Sequence, residues 1–481
     1  MPELVLPGVY IEVRPEALIV PGPITVGNIG IVGTARRGEL GTVHTLSSLS
    51  DARQVFGDYD AFDAPDLADS PLTLVRALEL AYLNGASTVH AVRITDTEAA
   101  AAGDDLVAAW QLNTKARLAT FDVPTGGGKA VVLKAKSHGA WGNRISIEIE
   151  KTTGLPGDPA RVVLKYLATT EEYTVKDGDA LVKQIRAGSA LVTADPGDKS
   201  ATRLDAPLAS ASFAGGSDAN AVTDVQYELG LDQLLTVDAH IILAAGQAGS
   251  AIDGKLDAHV QNASTDKIKR DRVAITGSAA GATVSGINVR DSDRMVFVQP
   301  GVKATDAASG KTVTLPGCYA AAAVAGMLSA RDPHISLTNK LVAGITGLEH
   351  AYTRAELEQL VIARALALEE RLGQRVVKGI TAHSGAFRQI TTRRIVDFAK
   401  FGVRSAADPY IGLLNNDRMR KALKGSINGF LAQMVLDEML VSYELDVTAT
   451  RDEEIRGIAR VVLTVRPTFS IDYIQVVMFL G

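Results

Sequence analysis

The stretch LTLVRALELAYLNGASTVHAVRI, residues 72–94, predicts a helix that runs directly into a strand. One face of this predicted helix is apolar and consists of Leu74, Val75, Leu78, Ala81 and Tyr82. Asn84-Gly85 is a helix stop, because glycine readily adopts the left-handed conformation in which many helices end. A helix followed at once by a strand predicts a sheet covered by helices, which is an α/β arrangement.

Elements of the same kind occur on both sides of a long segment of different character. In chain order they are a strand at 29–32, a helix at 51–56, a helix at 227–237 and a strand at 240–246. We therefore expect one α/β domain that is split in the chain, with residues 23–96 as its first part and 218–350 as its second part.

The segment between these two parts, residues 100–217, consists of short apolar strands and turns. The predicted strands are ARLATF at 116–121, AVVLKAK at 130–136, ISIEIE at 145–150, RVVLKYL at 161–167 and EEYTV at 171–175. Closely spaced short strands without helical periodicity predict an all-β, sandwich-like insertion.

Residues 351–481 predict a C-terminal α+β domain. Thr353 and Glu356 form a capping box, after which apolar residues at helical spacing predict a helix up to Leu372 that Gly373 ends. A second long helix begins near Asn416, and its apolar face contains Met419, Leu423, Ile427, Phe430 and Met434. Strand-like segments follow at 443–450, 459–466 and 471–481.

The composition excludes several functional classes. The 481 residues include 49 Lys and Arg against 55 Asp and Glu, a net charge of -6 without a long basic run, so nucleic acid is not an expected partner. The single cysteine, Cys318, lies in an apolar segment and predicts a buried small residue. No secretion signal and no run of about 18 apolar residues occurs, which predicts cytoplasmic synthesis and no membrane insertion. For a role outside the cell, we expect the protein to leave by lysis or in a particle.

Motifs that superficially match catalytic or cofactor-binding signatures have simpler explanations. The glycines at 27, 30 and 33 lack dinucleotide-loop spacing, and residues 125–129 predict a hairpin turn, not a phosphate loop. The eight histidines are scattered at positions 44, 90, 138, 240, 259, 334, 350 and 383. His383-Ser384-Gly385 lacks a nucleophile elbow, and Asp291-Ser292-Asp293 predicts a solvated turn. No catalytic residue, metal ligand or cofactor is therefore expected, and an α/β enzyme is the weakest interpretation.

Motifs in a fixed order along nearly the whole chain resemble the contractile tail sheath family of phages, R-type pyocins and extracellular contractile injection systems. They are Pro7 to Glu12, Gly30 to Ala35, Leu49 to Gly57, Gly139-Ala140-Trp141-Gly142-Asn143, Gly215-Gly216-Ser217-Asp218, Pro316 to Gly326, Asp332-Pro333, Thr338-Asn339-Lys340 and Thr392-Arg393-Arg394-Ile395. Each motif is weak alone, and their order is specific.

The resemblance implies a structural subunit that polymerises as a helix of rings, of six-fold symmetry, around an inner tube. The polymer is held extended and contracts to drive the tube through a target envelope, with baseplate and cap or terminator proteins as further partners. It implies an exposed insertion, an inner layer made by the C-terminal region, and no cofactor. A non-contractile tail or baseplate assembly protein is the alternative.

Both chain ends predict strands donated to neighbouring subunits. In the N-terminal arm, residues 1–22, Val9, Ile11 and Val13 point to one face and Tyr10 and Glu12 to the other. The C-terminal arm, residues 468–481, is apolar on both faces and contains Ile474, Gln475, Val476, Val477, Met478, Phe479 and Leu480. Such a strand, left unpaired, is prone to aggregation, so we expect it to be covered by another subunit; a buried central strand of its own subunit is the alternative.

A further hypothesis concerns the helix that begins near Asn416. Its first turns carry the basic residues Arg418, Arg420, Lys421 and Lys424. Weak contacts between exposed charges would suit a sliding surface, so we expect this helix to face an acidic inner tube. A solvated helix face is the alternative.

Overall fold

The computed structural model describes residues 26–58, 72–97, 114–125, 127–151, 159–204, 207–219, 221–306 and 309–479. The chain has mixed helix and strand content and divides into two compact units. The first unit consists of Gly27–Arg331 and Leu337–Ser384, and the second of Met1–Val26, Asp332–Ser336 and Gly385–Gly481. Val9, Tyr10, Ile11, Glu12 and Val13 of the predicted N-terminal arm lie outside the described residues, as does Leu480.

The first unit begins with an α/β segment, continues through the insertion and returns to α/β structure. The first segment contains β1 Ile29–Gly33, β2 Val43–Leu46, α1 Leu49–Phe56, α2 Leu74–Leu83 and β3 Val89–Arg93. The insertion contains β4 Thr120–Thr125, β5 Gly128–Ala135, β6 Ser146–Lys151, β7 Ala160–Tyr166, β8 Thr169–Val175, α3 Gly178–Gly188, β9 Val192–Pro196 and β10 Leu208–Ser212.

After the insertion the first unit contains twelve labelled elements. They are α4 Asp224–Gln233, β11 Ile241–Ala244, α5 Ser250–Ala263, β12 Val273–Gly277, β13 Met295–Gln299, β14 Val302–Thr305, β15 Thr312–Leu315, α6 Gly317–Ser329, β16 Gly347–Leu348, α7 Arg354–Ile362, β17 Leu366–Glu370 and β18 Gln374–Val376. The second unit contains α8 Ile390–Ala407, α9 Asp417–Leu436, β19 Leu440–Thr448, α10 Arg451–Ile455 and β20 Arg460–Pro467.

An eight-stranded sheet forms the centre of the first unit, in the order β18-β17-β13-β12-β11-β1-β3-β2. Its inner strand pairs are parallel, and only the two edge pairs are antiparallel. β1 pairs with both β3 and β11, so the sheet takes neighbouring strands from both sides of the insertion. Parallel strands are covered on both faces, which explains why β1, β3, β11 and β12 are buried throughout.

Helix α6 is buried from Gly317 to Leu328 and lies directly against α2. A Cβ atom at Gly326 would lie 2.1 Å from the carbonyl oxygen of Ala81, so only glycine allows the two backbones to approach this closely. Cys318 is buried in the same helix, and its burial raises the pKa of the thiol to about 12. The thiol is therefore a packed apolar group, as the sequence predicts.

The insertion has its own hydrophobic core, made from two small sheets and one helix. The sheets have the orders β10-β6-β7-β8 and β4-β5-β9, and Trp141, Leu164 and Val131 lie in the core between them. Four of the predicted strands and the hairpin turn between β4 and β5 are confirmed. The strand predicted at 116–121 is displaced, because β4 spans Thr120–Thr125 and shares only Thr120 and Phe121 with the prediction.

The prediction that the insertion is all-β is wrong, because it contains α3. Leu181, Val182 and Ile185 give this helix an apolar face that packs into the core of the insertion. The Asp177 carboxylate caps its first turn by accepting a hydrogen bond from the backbone N–H of Ala180 at 2.8 Å.

The prediction of one helix from Thr353 to Leu372 is also wrong. The capping box is present, but α7 ends at Ile362, and Arg364 has a left-handed backbone with φ of 68°. β17 follows and joins the eight-stranded sheet, so α/β structure continues beyond residue 350 and the first unit ends at Ser384. Leu368 is buried in that strand and not on a helix, which the apolar spacing alone does not distinguish.

The second unit consists of two long helices and a two-stranded antiparallel sheet. α9 lies against α8 and against the β19–β20 hairpin. Ile427, Leu431 and Met434 of α9 form its core with apolar side chains from one face of the hairpin. α9 and the two strands of the hairpin agree with the sequence predictions, whereas α8 was not predicted from the sequence.

Candidate functional site: the polymerisation surface

The β19–β20 hairpin is a two-stranded sheet with an open edge on each side. Within the described residues its strands pair only with each other, from Tyr443↔Val465 to Thr448↔Arg460. Tyr443 and Leu463 point towards α9, and the opposite face is exposed. A two-stranded sheet is only marginally stable, and its free N–H and C=O groups are a template on which another strand can pair.

The C-terminal segment that follows this hairpin exposes an unusual amount of apolar surface. Within residues 468–479 no strand forms, and the exposed apolar side chains are Phe469, Ile471, Tyr473, Ile474, Val476, Val477, Met478 and Phe479. Ile474 is 83% exposed and Phe479 is 90% exposed. A contiguous apolar segment of this kind indicates a surface for another protein.

The root of this segment is fixed to the second unit. The backbone N–H of Thr468 donates to the carbonyl oxygen of Met439 at 3.1 Å. The Asp472 carboxylate accepts hydrogen bonds from the Ser470 hydroxyl at 3.1 Å and from the Gln389 amide at 3.4 Å. The segment is therefore anchored up to Asp472, and most of its exposed apolar side chains, Tyr473 to Phe479, follow this anchor.

Arg394, near the start of α8, contacts Val26, the first residue that the structure describes. The Arg394 guanidinium donates to the carbonyl oxygens of Asp332 at 3.3 Å and Val26 at 3.4 Å. Burial lowers the pKa of Arg394 to about 10. Gln389 and Arg394 thus bind Asp472 and Val26 near the start of α8, contacts that the sequence did not predict although Arg394 is in one of the resemblance motifs.

The four basic residues predicted to face a tube have different environments in the structure. Arg418 and Lys421 are exposed on α9, and Lys421 forms an ion pair with Asp417 at 2.7 Å. The Lys424 ammonium lies 3.3 Å from a carboxylate oxygen of Asp446.

Arg420 differs from its three neighbours because it points into its own unit. Its guanidinium binds the Glu454 carboxylate at 2.9 Å, and its side chain is only 13% exposed. Arg420 also donates to the side chain of Asn415 at 3.0 Å. The exposed basic surface of α9 therefore consists of Arg418, Lys421 and Lys424, and Arg420 connects α9 to α10.

Two glycines lie on the exposed side of α9. A Cβ atom at Gly425 or Gly429 would meet no described atom within 4 Å, so packing inside the chain does not require glycine at either position. Glycine costs a helix about 1 kcal/mol relative to alanine, which makes two unneeded glycines on one face unfavourable for the isolated subunit.

The residues considered for catalysis have structural roles. The Ser384 hydroxyl donates to the Asp291 carboxylate at 2.7 Å, and His383 Nδ1 lies 3.1 Å from the same carboxylate. The serine is bound to the acid and not to the histidine, so the arrangement cannot activate a nucleophile. Gly30 and Gly33 lie within β1, where a Cβ would contact side chains of neighbouring elements.

The described residues contain neither a cluster of metal-binding side chains nor a membrane-spanning helix. Among these, no three His, Cys, Asp or Glu side chains lie close enough together to hold a metal ion. No helix in the same part of the chain is both long and apolar enough to cross a membrane.

Comparison with known proteins places this geometry in a family. The sequence pattern described as the phage tail sheath protein central domain matches residues 220–382, and that of the phage tail sheath C-terminal domain matches residues 383–480. The chain belongs to the phage tail sheath family. Two sheath patterns thus cover more than half of the chain, and the second contains the hairpin and the exposed segment.

Individual sheath proteins agree with this assignment. The tail sheath protein of Bacillus phage SP01 is 26% identical over 213 residues, which are 42% of this chain and 37% of the relative's length. The sheath tail protein of Desulfitobacterium hafniense has a TM-score of 0.68 at 18% identity, covering 96% of this chain and all of that one. The contracted helical sheath of the anti-feeding prophage has a TM-score of 0.57 at 14% identity, and the match covers both chains in full.

The structural matches show that the sheath fold extends over nearly the whole chain. The proteins matched are structural sheath subunits and not enzymes, and this chain is accordingly a structural component of a phage tail or tail-like particle.

Proposed function

We propose that this chain is the subunit of a contractile sheath that polymerises helically around an inner tube. Contraction of the polymer drives the tube through a target envelope. The observation that carries this proposal is the exposed apolar segment, residues 473–479, beside a hairpin with two open edges. The contracted sheath fold of the anti-feeding prophage supports it. The subunits form stacked six-fold rings, with a baseplate and a cap or terminator at the ends of the sheath.

Expression of the protein alone tests this proposal. The chain is made in the cytoplasm and joins a particle that is released by lysis, so polymerisation is expected in the cell that expresses it. Electron microscopy of the purified protein should show long tubes of uniform width. Discrete particles or monomers alone would instead favour a baseplate or terminator protein.

Exchange of terminal strands joins the subunits. Residues 473–479 of one subunit pair with an open edge of the β19–β20 hairpin of a neighbour, and the N-terminal arm, residues 1–22, supplies a further strand. Such pairing provides backbone hydrogen bonds between subunits and covers the apolar side chains. Because each strand is anchored at its root, the bodies of the subunits can rotate while the lattice stays connected.

The exposed surface of α9 faces the inner tube. Arg418, Lys421 and Lys424 supply positive charge, and Gly425 and Gly429 allow another backbone to approach closely. Contacts between exposed charges contribute about 0–1 kcal/mol each, so the tube is held in register and can still slide free.

Reversal of charge on this surface should prevent assembly around the tube. We expect the double variant Arg418→Glu, Lys421→Glu to form sheaths that lack the tube, because an acidic tube is then repelled. The test is co-purification of the tube with the sheath. Arg420→Glu is unsuitable, because it would place two carboxylates together at Glu454.

A matched control for this variant is Lys176→Glu, Lys183→Glu, which makes the same change of charge on exposed residues of the insertion. It should leave the amount of bound tube unchanged. Equal tube binding by the α9 variant and the control would contradict the assignment of α9 to the tube.

The insertion lies on the outside of the sheath and is dispensable for polymerisation. Its two ends meet at a neck, where the Asp96 N–H donates to the carbonyl of Ala219 at 2.6 Å and the Arg117 N–H donates to that of Ser217 at 3.0 Å. Because entry and exit are adjacent, a short Gly/Ser linker can replace the insertion without moving the rest of the chain.

A variant in which such a linker replaces residues 115–217 should therefore still form tubes, narrower in outer diameter than those of the full chain. Electron microscopy measures both length and diameter. If the variant is monomeric by sedimentation and unfolds cooperatively on heating, yet forms no tubes, the insertion takes part in polymerisation.

A further inference from the structure

The second unit exposes a group of apolar side chains where α9 begins. The loop before this helix, residues 411–416, lies beside the connector of the β19–β20 hairpin, residues 449–459. The side-chain amide of Asn415 joins the two, because it donates to the carbonyl oxygen of Ile458 at 2.9 Å. The exposed apolar side chains at this junction, which we call the front patch, are those of Ile411, Leu413, Leu414, Ile455 and Ile458.

A second group of exposed apolar side chains lies where α9 ends. This rear patch consists of Leu436, Val441 and Phe469. The backbone N–H of Thr468 donates to the carbonyl oxygen of Met439 at 3.1 Å, which brings the residue before Phe469 to this end of the helix. Val441 is exposed because the pairing of β19 with β20 shifts at residues 440–442. Without this bulge, strand alternation would turn Val441 to the buried face that contains Tyr443.

The two patches are too far apart to cover each other within one subunit. α9 contains 20 residues, and a helix rises 1.5 Å per residue, so its two ends are about 30 Å apart. Leu414 of the front patch and Leu436 of the rear patch are each 76% exposed. A single exposed apolar side chain is ordinary, but a group of them at each end of one helix indicates contact with another protein.

The sequence around the two patches also differs in charge. Residues 411–421 and 451–460, around the front patch, contain six basic and four acidic residues. Residues 433–442, around the rear patch, contain Asp437 and Glu438 and no basic residue. Neither carboxylate has a lysine or arginine partner among the described residues. Both follow the C-terminal end of α9, where the helix dipole makes a negative charge unfavourable, so a positively charged partner would stabilise this end.

We propose that the front patch of one subunit packs against the rear patch of the next subunit. A contact between two different surfaces of the same protein is heterologous, and its repetition generates rings or helical filaments. One partner, a second copy of the chain, then covers both patches, whereas a tube subunit would account for only one of them. The contact rests on the proposed function, polymerisation, and adds to strand exchange a direct head-to-tail contact between second units.

Chemical cross-linking of the full chain tests this contact. The double variant Leu414→Cys, Leu436→Cys places one thiol in each patch, and a short bismaleimide then joins thiols that lie close together. We expect a ladder of covalent multimers on a denaturing gel, because each subunit is joined to the next at both ends. The two thiols of one subunit are too far apart to react with each other, and the native Cys318 is buried. Each single variant should remain a monomer on the gel.

A matched control is the double variant Ile362→Cys, Leu436→Cys, in which one thiol moves to an equally exposed position, 76%, on α7 of the first unit. It should give no ladder. Absence of a ladder from the Leu414 and Leu436 variant, or an equal ladder from the control, would contradict the head-to-tail contact. Dimers from either single variant would overturn it as well, because a patch would then pack against its own copy.

Electron microscopy of the same samples separates this contact from the proposed function. Tubes without a ladder would contradict the head-to-tail contact alone. A ladder without tubes would support the contact and contradict the sheath proposal, and the absence of both would contradict both. Circular dichroism establishes that each variant is folded.

Discussion

Deletion of residues 470–481 is expected to abolish tube formation and to leave a folded, soluble monomer. The side chains from Tyr473 to Phe479 are exposed in the single chain, so their removal costs the monomer little. In the polymer the same residues would contribute a strand and several buried apolar side chains to each subunit contact. Sedimentation velocity and electron microscopy measure polymerisation, and the thermal unfolding temperature measures folding.

A point variant separates the effect of the apolar segment from that of chain length. Ile474→Ser should reduce polymerisation strongly, because it removes an apolar side chain from the donated strand. Ile362→Ser changes a residue of similar exposure, 76%, at the end of α7, and should leave polymerisation unchanged. Normal tubes from the truncated chain would contradict strand exchange, and deletion of residues 1–14 tests the N-terminal arm in the same way.

Gly402→Ala is expected to destabilise the second unit by about 1–3 kcal/mol, the usual cost of adding a methyl group to a filled core. A Cβ atom at Gly402 on α8 would lie 1.9 Å from the Phe430 ring on α9. Either the two helices separate or Phe430 leaves its position beside Phe398, where the ring centres are 5.7 Å apart. Urea unfolding monitored by circular dichroism measures the free energy of unfolding.

Gly425→Ala is the matched control, because it makes the same substitution on a helix where no described atom lies within 4 Å of the new methyl group. It should stabilise the monomer by about 0.5–1 kcal/mol through helix propensity. If Gly402→Ala is as stable as the wild type, the close contact between α8 and α9 is not present in solution.

The sequence predicts elements best where the local pattern and the tertiary environment agree. The apolar face and the glycine stop predict α2, and the apolar run after them predicts β3. Both elements are present in the structure. The α7–β17 region shows the opposite case. The leucines of this region fit a helical period, but residues 366–370 form a strand of the eight-stranded sheet. The helix does not continue into them, because the backbone of Arg364 is left-handed. Pairing with the neighbouring strand decides between helix and strand for these residues, and the sequence of one chain does not reveal that pairing.

The composition of the candidate site can be read from the sequence, whereas its contacts cannot. The apolar C-terminal segment and the basic turns of α9, whose roles stay predictions, are visible in the sequence. The ion pair of Arg420 with Glu454 cannot be read from the sequence, because it joins residues 34 positions apart. The contact at the neck cannot be read from the sequence either. There the Asn143 side-chain amide makes two hydrogen bonds of 2.8 Å with the backbone of Gly216, one as donor and one as acceptor. This contact brings two of the resemblance motifs together and gives each a structural reason.

The most direct test of strand exchange is a cryo-EM map of the tubes in which the main chain can be traced. Strand exchange predicts that residues 473–479 of each subunit form a strand hydrogen-bonded to the β19–β20 hairpin of a neighbouring subunit. A map in which these residues pair with the hairpin of their own subunit, or remain unpaired in the tube, would contradict it.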